Sequence, residues 1–293
     1  MDIRNVQRTG NMFYLYLPTS WCKKFRISSD SKLQVETTSE GKLLLSSTLE
    51  ERKLKRLEIT VDETDLEIIN KLIVACYINP ASSFKINLKE DLDQTKLLDQ
   101  KKLVSIELVE IEGKTIICES SISIAEPELL LKTIINKVKN MLIVMTQNYN
   151  KELVARYEEE IDRNRLLIDK SIINALTYSR PGKVKTIDLY YISQIARELE
   201  HIADHLILIN VKDKRFFEEI QERIDSLKQL IDMIYQKRSF NYKEAIKFAR
   251  QVIRIKEPRI SDLESYYKSQ VKGALKTVSE VLIDWAITDE MSD

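Results

Sequence analysis

Ile192-Ser193-Gln194-Ile195-Ala196-Arg197-Glu198-Leu199-Glu200-His201-Ile202-Ala203-Asp204-His205-Leu206-Ile207-Leu208-Ile209 is the stretch on which the fold is decided. Its apolar residues Ile192, Ile195, Leu199, Ile202, Leu206 and Ile209 alternate strictly by three and four, the mark of a packed helical seam. Tyr157, Ile161, Ile168 and Ile172 mark a similar seam just upstream. Working outward, the chain from Pro127 onward predicts helices over 128–148, 150–179, 186–210, 214–238, 240–257 and 260–288. Pro181-Gly182 and Glu257-Pro258 punctuate two of the connections. These helices divide into two three-helix units, 126–210 and 213–288.

The composition agrees with a mainly helical chain. Only five Gly and five Pro occur in 293 residues, and Gly10, Gly41, Gly113, Gly182 and Gly273 stand far apart. A glycine-rich phosphate loop needs clustered Gly for close backbone approach, so no nucleotide cofactor is expected. Hydrophobic residues make up 43% of the chain and charged residues 31%, which suits a folded globular protein and excludes disorder. Cys22, Cys76 and Cys118 are odd in number and lack CxxC spacing, which argues against a disulfide framework and for a reducing cytoplasm. No leader-like segment and no uncharged apolar run of about 18 residues is found, so neither a signal peptide nor membrane insertion is expected.

The 46 Lys and Arg balance the 46 Asp and Glu, but unevenly along the chain. Residues 1–48 carry seven bases and four acids, 49–125 eleven and fifteen, and 126–293 twenty-eight and twenty-seven. The first segment reads as β-rich: a Thr9-Gly10 turn, an aromatic run from Met12 to Leu17, a short helical piece after Pro18, and a hairpin of Leu33/Val35 with Leu43/Leu45 around Glu40-Gly41. Fewer than fifty residues bury too little surface to stand alone, so a second copy of the chain is the expected partner. Arg4, Arg8, Lys23, Lys24 and Arg26 crowd this segment and are the candidate DNA-binding residues. Residues 49–125 predict a small connecting α/β module. It has a strand through Leu57, Ile59 and Val61, a capping box Thr64-x-x-Glu67 opening a helix through Ile69, Ile73 and Cys76, a strand Phe84–Leu88, and a hairpin from Val104 to Cys118.

The chemistry-bearing residues lie on the helices. Glu200 and Asp204 are four apart, hence on one face, and Glu158 and Asp162 take the same place on the preceding helix. Converging carboxylates repel unless a cation sits among them, which makes these four the candidate metal ligands; the alternative is a solvated face in a charge-rich chain. His201 and His205 spell His-Ile-Ala-Asp-His, which lacks the Glu of HExxH, so metalloprotease chemistry is not expected, although either ring is a further candidate ligand. In the second unit Glu280 and Asp284 are the corresponding pair.

Two resemblances follow from these residues. Arg4-Asn5-Val6-Gln7-Arg8-Thr9-Gly10, Leu15-Tyr16-Leu17-Pro18-Thr19-Ser20-Trp21 and Ile27-Ser28-Ser29-Asp30, with the Val35/Leu43-Leu45 hairpin, resemble the AbrB (SpoVT/AbrB-like) swapped-hairpin domain over residues 1–48, in the variety joined to archaeal PhoU-like proteins. A Gly usual near Ser29-Asp30 is absent here. Residues 126–290 resemble PhoU, the phosphate-signalling regulator, through Arg197-Glu198-Leu199-Glu200-His201-Ile202-Ala203-Asp204-His205 and Glu158-Glu159-Glu160-Ile161-Asp162-Arg163, with Ala203 and His201 at positions where that family has Gly and Arg. The resemblance implies a non-enzymatic cytoplasmic transcriptional regulator of phosphate uptake. In it an interleaved AbrB-like dimer contacts DNA, and the PhoU-like bundle binds divalent or ferric ions (Fe, Zn, Mg or Mn) through its ExxxD pairs. The competing expectation is a dimeric adaptor that docks on a phosphate transporter or signalling kinase without touching DNA.

Overall fold

The computed structural model describes residues 3–37, 41, 43–47, 56–79, 83–91, 109–119, 126–178, 184–236, 240–256 and 259–291. Described residues up to 47 belong to one compact unit and those from 56 onward to a second.

In the first unit, β1 (Gln7–Thr9) pairs antiparallel with β2 (Met12–Tyr14) through a turn in which Gly10 takes φ +62°, a conformation that favours glycine. The helix α1 (Thr19–Lys24) follows Pro18, and β3 (Gln34–Thr37) pairs antiparallel with β4 (Leu43–Ser46). Both hairpins and the short helix stand where the sequence placed them. None of the described residues of this unit is buried, and Phe13, Tyr16 and Leu43 are about two-thirds exposed at 70%, 65% and 66%.

The second unit begins with β5 (Arg56–Val61), α2 (Leu66–Ile78) and β6 (Ser83–Leu88), in which β5 and β6 run parallel with Leu57 opposite Phe84 and Val61 opposite Leu88. β7 (Val109–Glu112) and β8 (Thr115–Glu119) form an antiparallel hairpin turning at Gly113, φ +56°, and the sheet order is β5-β6-β8-β7. The first residues of the expected hairpin, 104–108, lie outside the described residues. Ile69, Ile73 and Cys76 of α2 bury against Phe84, Ile86 and Ile116 of the sheet. The capping box expected at Thr64 and Glu67 is displaced by one residue. Asp65 is the cap, its Oδ1 accepting from the Glu67 N–H at 2.8 Å and the Ile68 N–H at 3.2 Å, while Glu63 Oε1 accepts from the N–H groups of Thr64 and Asp65. A carboxylate at this position satisfies two orphan donors and complements the positive helix end, which a threonine hydroxyl does less well.

Six helices complete the unit: α3 (Pro127–Thr146), α4 (Lys151–Tyr178), α5 (Thr186–Leu206), α6 (Lys214–Tyr235), α7 (Tyr242–Ile253) and α8 (Leu263–Glu290). They bury one continuous core. The first helices of the two three-helix units, α3 and α6, pack together, as do the third helices, α5 and α8, so the units meet face to face. α2 of the α/β module rests on α4, where Lys170 Nζ lies 4.0 Å from the centre of the Tyr77 ring. Near the end of α8, Trp285 is 1% exposed, stacks on Tyr191 with ring centres 5.5 Å apart, and donates from Nε1 to Asp188 Oδ1 at 2.9 Å. Burial holds the Asp188 carboxyl above the usual carboxylate range, against the pull of that hydrogen bond. We expect Trp285→Ala to lower stability by about 3–5 kcal/mol in urea titration, because it removes a packed ring and strands Asp188 without its indole donor.

Candidate metal centre

The carboxylates of interest sit where two amphipathic helices meet at the rim of the core. On α4, Ile161 and Ile168 are fully buried, and the turn before them carries Glu158, itself 6% exposed. On α5, Leu199, Ile202 and Ala203 are fully buried, and Asp204 follows directly. Because α4 and α5 pack together along these seams, residues one step round each helix face one another.

Glu158, Asp162 and Asp204 each bring a carboxylate oxygen to within 4.8 Å of the other two. It is the one such group of three potential ligands among the described residues. Asp162 Oδ1 is buried and no hydrogen-bond donor reaches it among the described residues. Burial first, and then the charges of Glu200, Asp204 and Glu158, push the Asp162 carboxyl up to about 7, with Arg165 opposing the rise. A proton on Asp162, or a cation among the three carboxylates, relieves that repulsion.

Residues 129–210 match the family model of the PhoU domain. The span takes in α3 from its third residue, all of α4 and α5, and every member of the three-carboxylate cluster. The match stops at Asn210, before α6, so over α3–α5 the chain is PhoU-like and the second three-helix unit lies beyond the matched span. No curated protein and no solved structure gives a match to the chain.

The remaining candidates divide in an instructive way. Glu200 stands near Asp162, but its Oε1 lies 3.0 Å from Arg165 Nε, and the same guanidinium donates from Nη1 to Asp169 Oδ2 at 2.7 Å. Glu200 is thus an ion-paired neighbour of the three-carboxylate cluster and not a member of it. His205 donates from Nδ1 to the His201 carbonyl oxygen at 2.8 Å, which leaves Nε2 as its free ring nitrogen, and neither ring belongs to the group. His201 Nδ1 lies 3.9 Å from Glu198 Oε2. Glu280 and Asp284 are both exposed and form no such group among the described residues. Sequence reading missed Arg165, whose place three residues after Asp162 on the same helix face was the available signal.

The basic candidates of residues 1–48 are all exposed. Arg4 Nη1 donates to the Tyr16 carbonyl at 3.4 Å, Arg8 Nε to the Gly10 carbonyl at 2.8 Å, and Lys23 and Lys24 close the last turn of α1. Arg26 takes φ +53° one residue beyond the helix cap, with its N–H bonded to the Lys23 carbonyl and the Ile27 N–H bonded to the Cys22 carbonyl. That is a Schellman closure with Arg at the position that usually holds Gly.

The raised Asp162 carboxyl sets a pH dependence for the metal-free protein. Unfolded, Asp162 titrates near 3.8 and folded at about 7, so the stability it contributes is complete below the lower value and is lost as pH rises through the higher one. We expect wild type to lose more stability than Asp162→Asn between about pH 4 and about pH 7, measured as urea midpoints with chelator present.

Proposed function

We propose that this protein regulates phosphate uptake or phosphate homeostasis, with a cation held between α4 and α5 and with residues 1–48 acting as a DNA-contacting dimer. The observation that carries the reading is the convergence of Glu158, Asp162 and Asp204 inside the span that matches the PhoU domain.

The donor set fits a cation. It offers only oxygen atoms, one of them buried without a donor, which favours a hard ion such as Mg2+, Mn2+ or ferric iron over the thiolate and imidazole preferences of structural zinc. Glu158, Asp162 and Asp204 would be its ligands, and the ion would supply the positive charge that three adjoining carboxylates lack. Glu200 stands behind Asp162 with its Oε1 ion-paired to Arg165. A bound ion would offset the repulsion among Glu158, Asp162 and Asp204 and so hold α4 against α5.

For the DNA half, the supporting observation is Arg26. An L-residue in the left-handed region costs roughly 1–2 kcal/mol relative to glycine, and what Arg26 adds in return is a cation at the end of α1. Together with Lys23 and Lys24 it places three cations at one helix end, and dimerisation doubles the set while covering the apolar side chains that the unit exposes.

Elemental analysis of the purified protein should find bound metal in wild type, near-complete loss in Asp162→Asn/Asp204→Asn, and retention in Glu200→Gln. Metal absent from all three would end the cation reading. In a separate assay, duplex DNA should be retarded at low salt and released as salt rises, and Lys23→Glu/Lys24→Glu/Arg26→Glu should abolish retardation. Regulation unchanged in cells carrying that triple variant would favour the adaptor role.

A further inference from the structure

α7 buries Ala245, Phe248, Ala249 and Val252 and leaves Lys243, Lys247 and Arg250 exposed at a spacing of four and then three, which sets them on one stripe. Arg254, the cap of α7, follows at the same spacing, and Lys256 and Arg259 in the segment before α8 are exposed as well. Among these cations stand three large aliphatic side chains in water: Ile253 is 67% exposed, Ile260 64% and Leu263 71%. Ile255, 2% exposed, pins the segment to the bundle between them. Tyr242 and Tyr266, each 42% exposed, flank the strip.

The negative charge in this region is largely committed elsewhere. Asp262 caps α8, accepting from the Ser265 N–H at 2.7 Å, and Glu244 lies in the first turn of α7, 3.9 Å from Lys247. Glu257 lies outside the described residues. Arg250, Arg254, Lys256 and Arg259 have no carboxylate within 4.0 Å among the described residues. The cations therefore face outward with their charge available, and the aliphatic tips stand where no core covers them.

We propose that this strip docks the protein on an anionic lipid surface, with Ile253, Ile260 and Leu263 entering the boundary between headgroups and acyl chains and the surrounding Lys and Arg meeting the lipid phosphates. Charge complementarity selects a polyanion, and the aliphatic residues select among polyanions. A nucleic-acid backbone offers no apolar layer for three protruding aliphatic chains, whereas a bilayer places one directly beneath its charged surface, with tyrosines favoured at the same depth. No helix among the described residues is long and apolar enough to cross a membrane, so the attachment is peripheral. The strip lies apart in sequence from Glu158, Asp162 and Asp204, and the proposal does not depend on the cation site.

The test is co-sedimentation of the full chain with vesicles of phosphatidylcholine alone and with vesicles containing about one third phosphatidylglycerol. We expect partition onto the anionic vesicles to be on the order of 10-fold or more stronger, to collapse in Arg250→Glu/Arg254→Glu/Arg259→Glu, and to fall about 10-fold in Ile260→Asp/Leu263→Asp. Residues 1–47 also expose basic and apolar side chains, so the strip variants carry the test, with unchanged melting temperature and metal content showing that they fold. Equal partition onto the two vesicle types overturns the proposal, as does binding that survives both variants. Loss with charge reversal alone, or DNA retardation that the strip variants abolish in the absence of vesicle binding, also overturns it, the latter in favour of a nucleic-acid partner.

Discussion

α5 is pressed between neighbours: it packs on α3 and α4 within its own three-helix unit and on α8 of the other. To do so it buries Ile192, Ile195, Ala196, Leu199, Ile202 and Ala203 completely, which leaves only a narrow strip of its circumference for polar side chains. Glu200 and Asp204 occupy the edge of that strip, at the margin of a close-packed and poorly screened interior. The same demand on α4 sets Glu158 almost wholly out of water. Carboxylates brought together in such a place must share a proton, take a cation or find an arginine; the raised Asp162 carboxyl is open to the first two, and Glu200 has the third. The electrostatic character of the site is thus a by-product of how the apolar seams are packed.

The fold was legible in the sequence to the extent that it rests on periodicity. The seam of α5, the six long helices and the two hairpins of residues 1–48 all follow from spacing of apolar residues and from sparse Gly and Pro, and the observed helix ends depart by a few residues where loops and caps intervene. Asp65 displaced Thr64 as a cap because neighbouring residues both had suitable side chains and only the local geometry chooses between them. In the site, the pairing of Glu158 with Asp162 could be read from one helix. The sequence put Glu200 and Asp204 beside that pair as a set of four; that only Asp204 would join it, and that Arg165 would claim Glu200, depended on the depth and rotation of one helix against another, which no single-helix pattern encodes. The Trp285 to Asp188 hydrogen bond, spanning 97 positions, was beyond reach for the same reason.

The first unit shows the opposite economy. Its strands are short, its described side chains are all at least partly exposed, and its one helix spans six residues, from Thr19 to Lys24. Its only ring-to-ring contact among the described residues is that of Trp21 with Phe25, centres 5.6 Å apart. Arg26 departs from local preference in this unit, because the backbone there prefers glycine and the chain supplies a cation.

α4 has contacts on two sides. Asp162 and Lys170 are eight residues apart, about 12 Å along the axis, the first at the carboxylate cluster and the second over Tyr77 of the α/β module. A helix of 28 residues behaves as a stiff rod over that distance. One stiff helix thus joins the carboxylate cluster at Asp162 to the α/β module at Tyr77. On the sheet of that module Asn87 donates to Glu58 at 2.9 Å and Lys85 lies 3.5 Å from the same carboxylate, so the side of the module away from α2 carries its own charge-linked row.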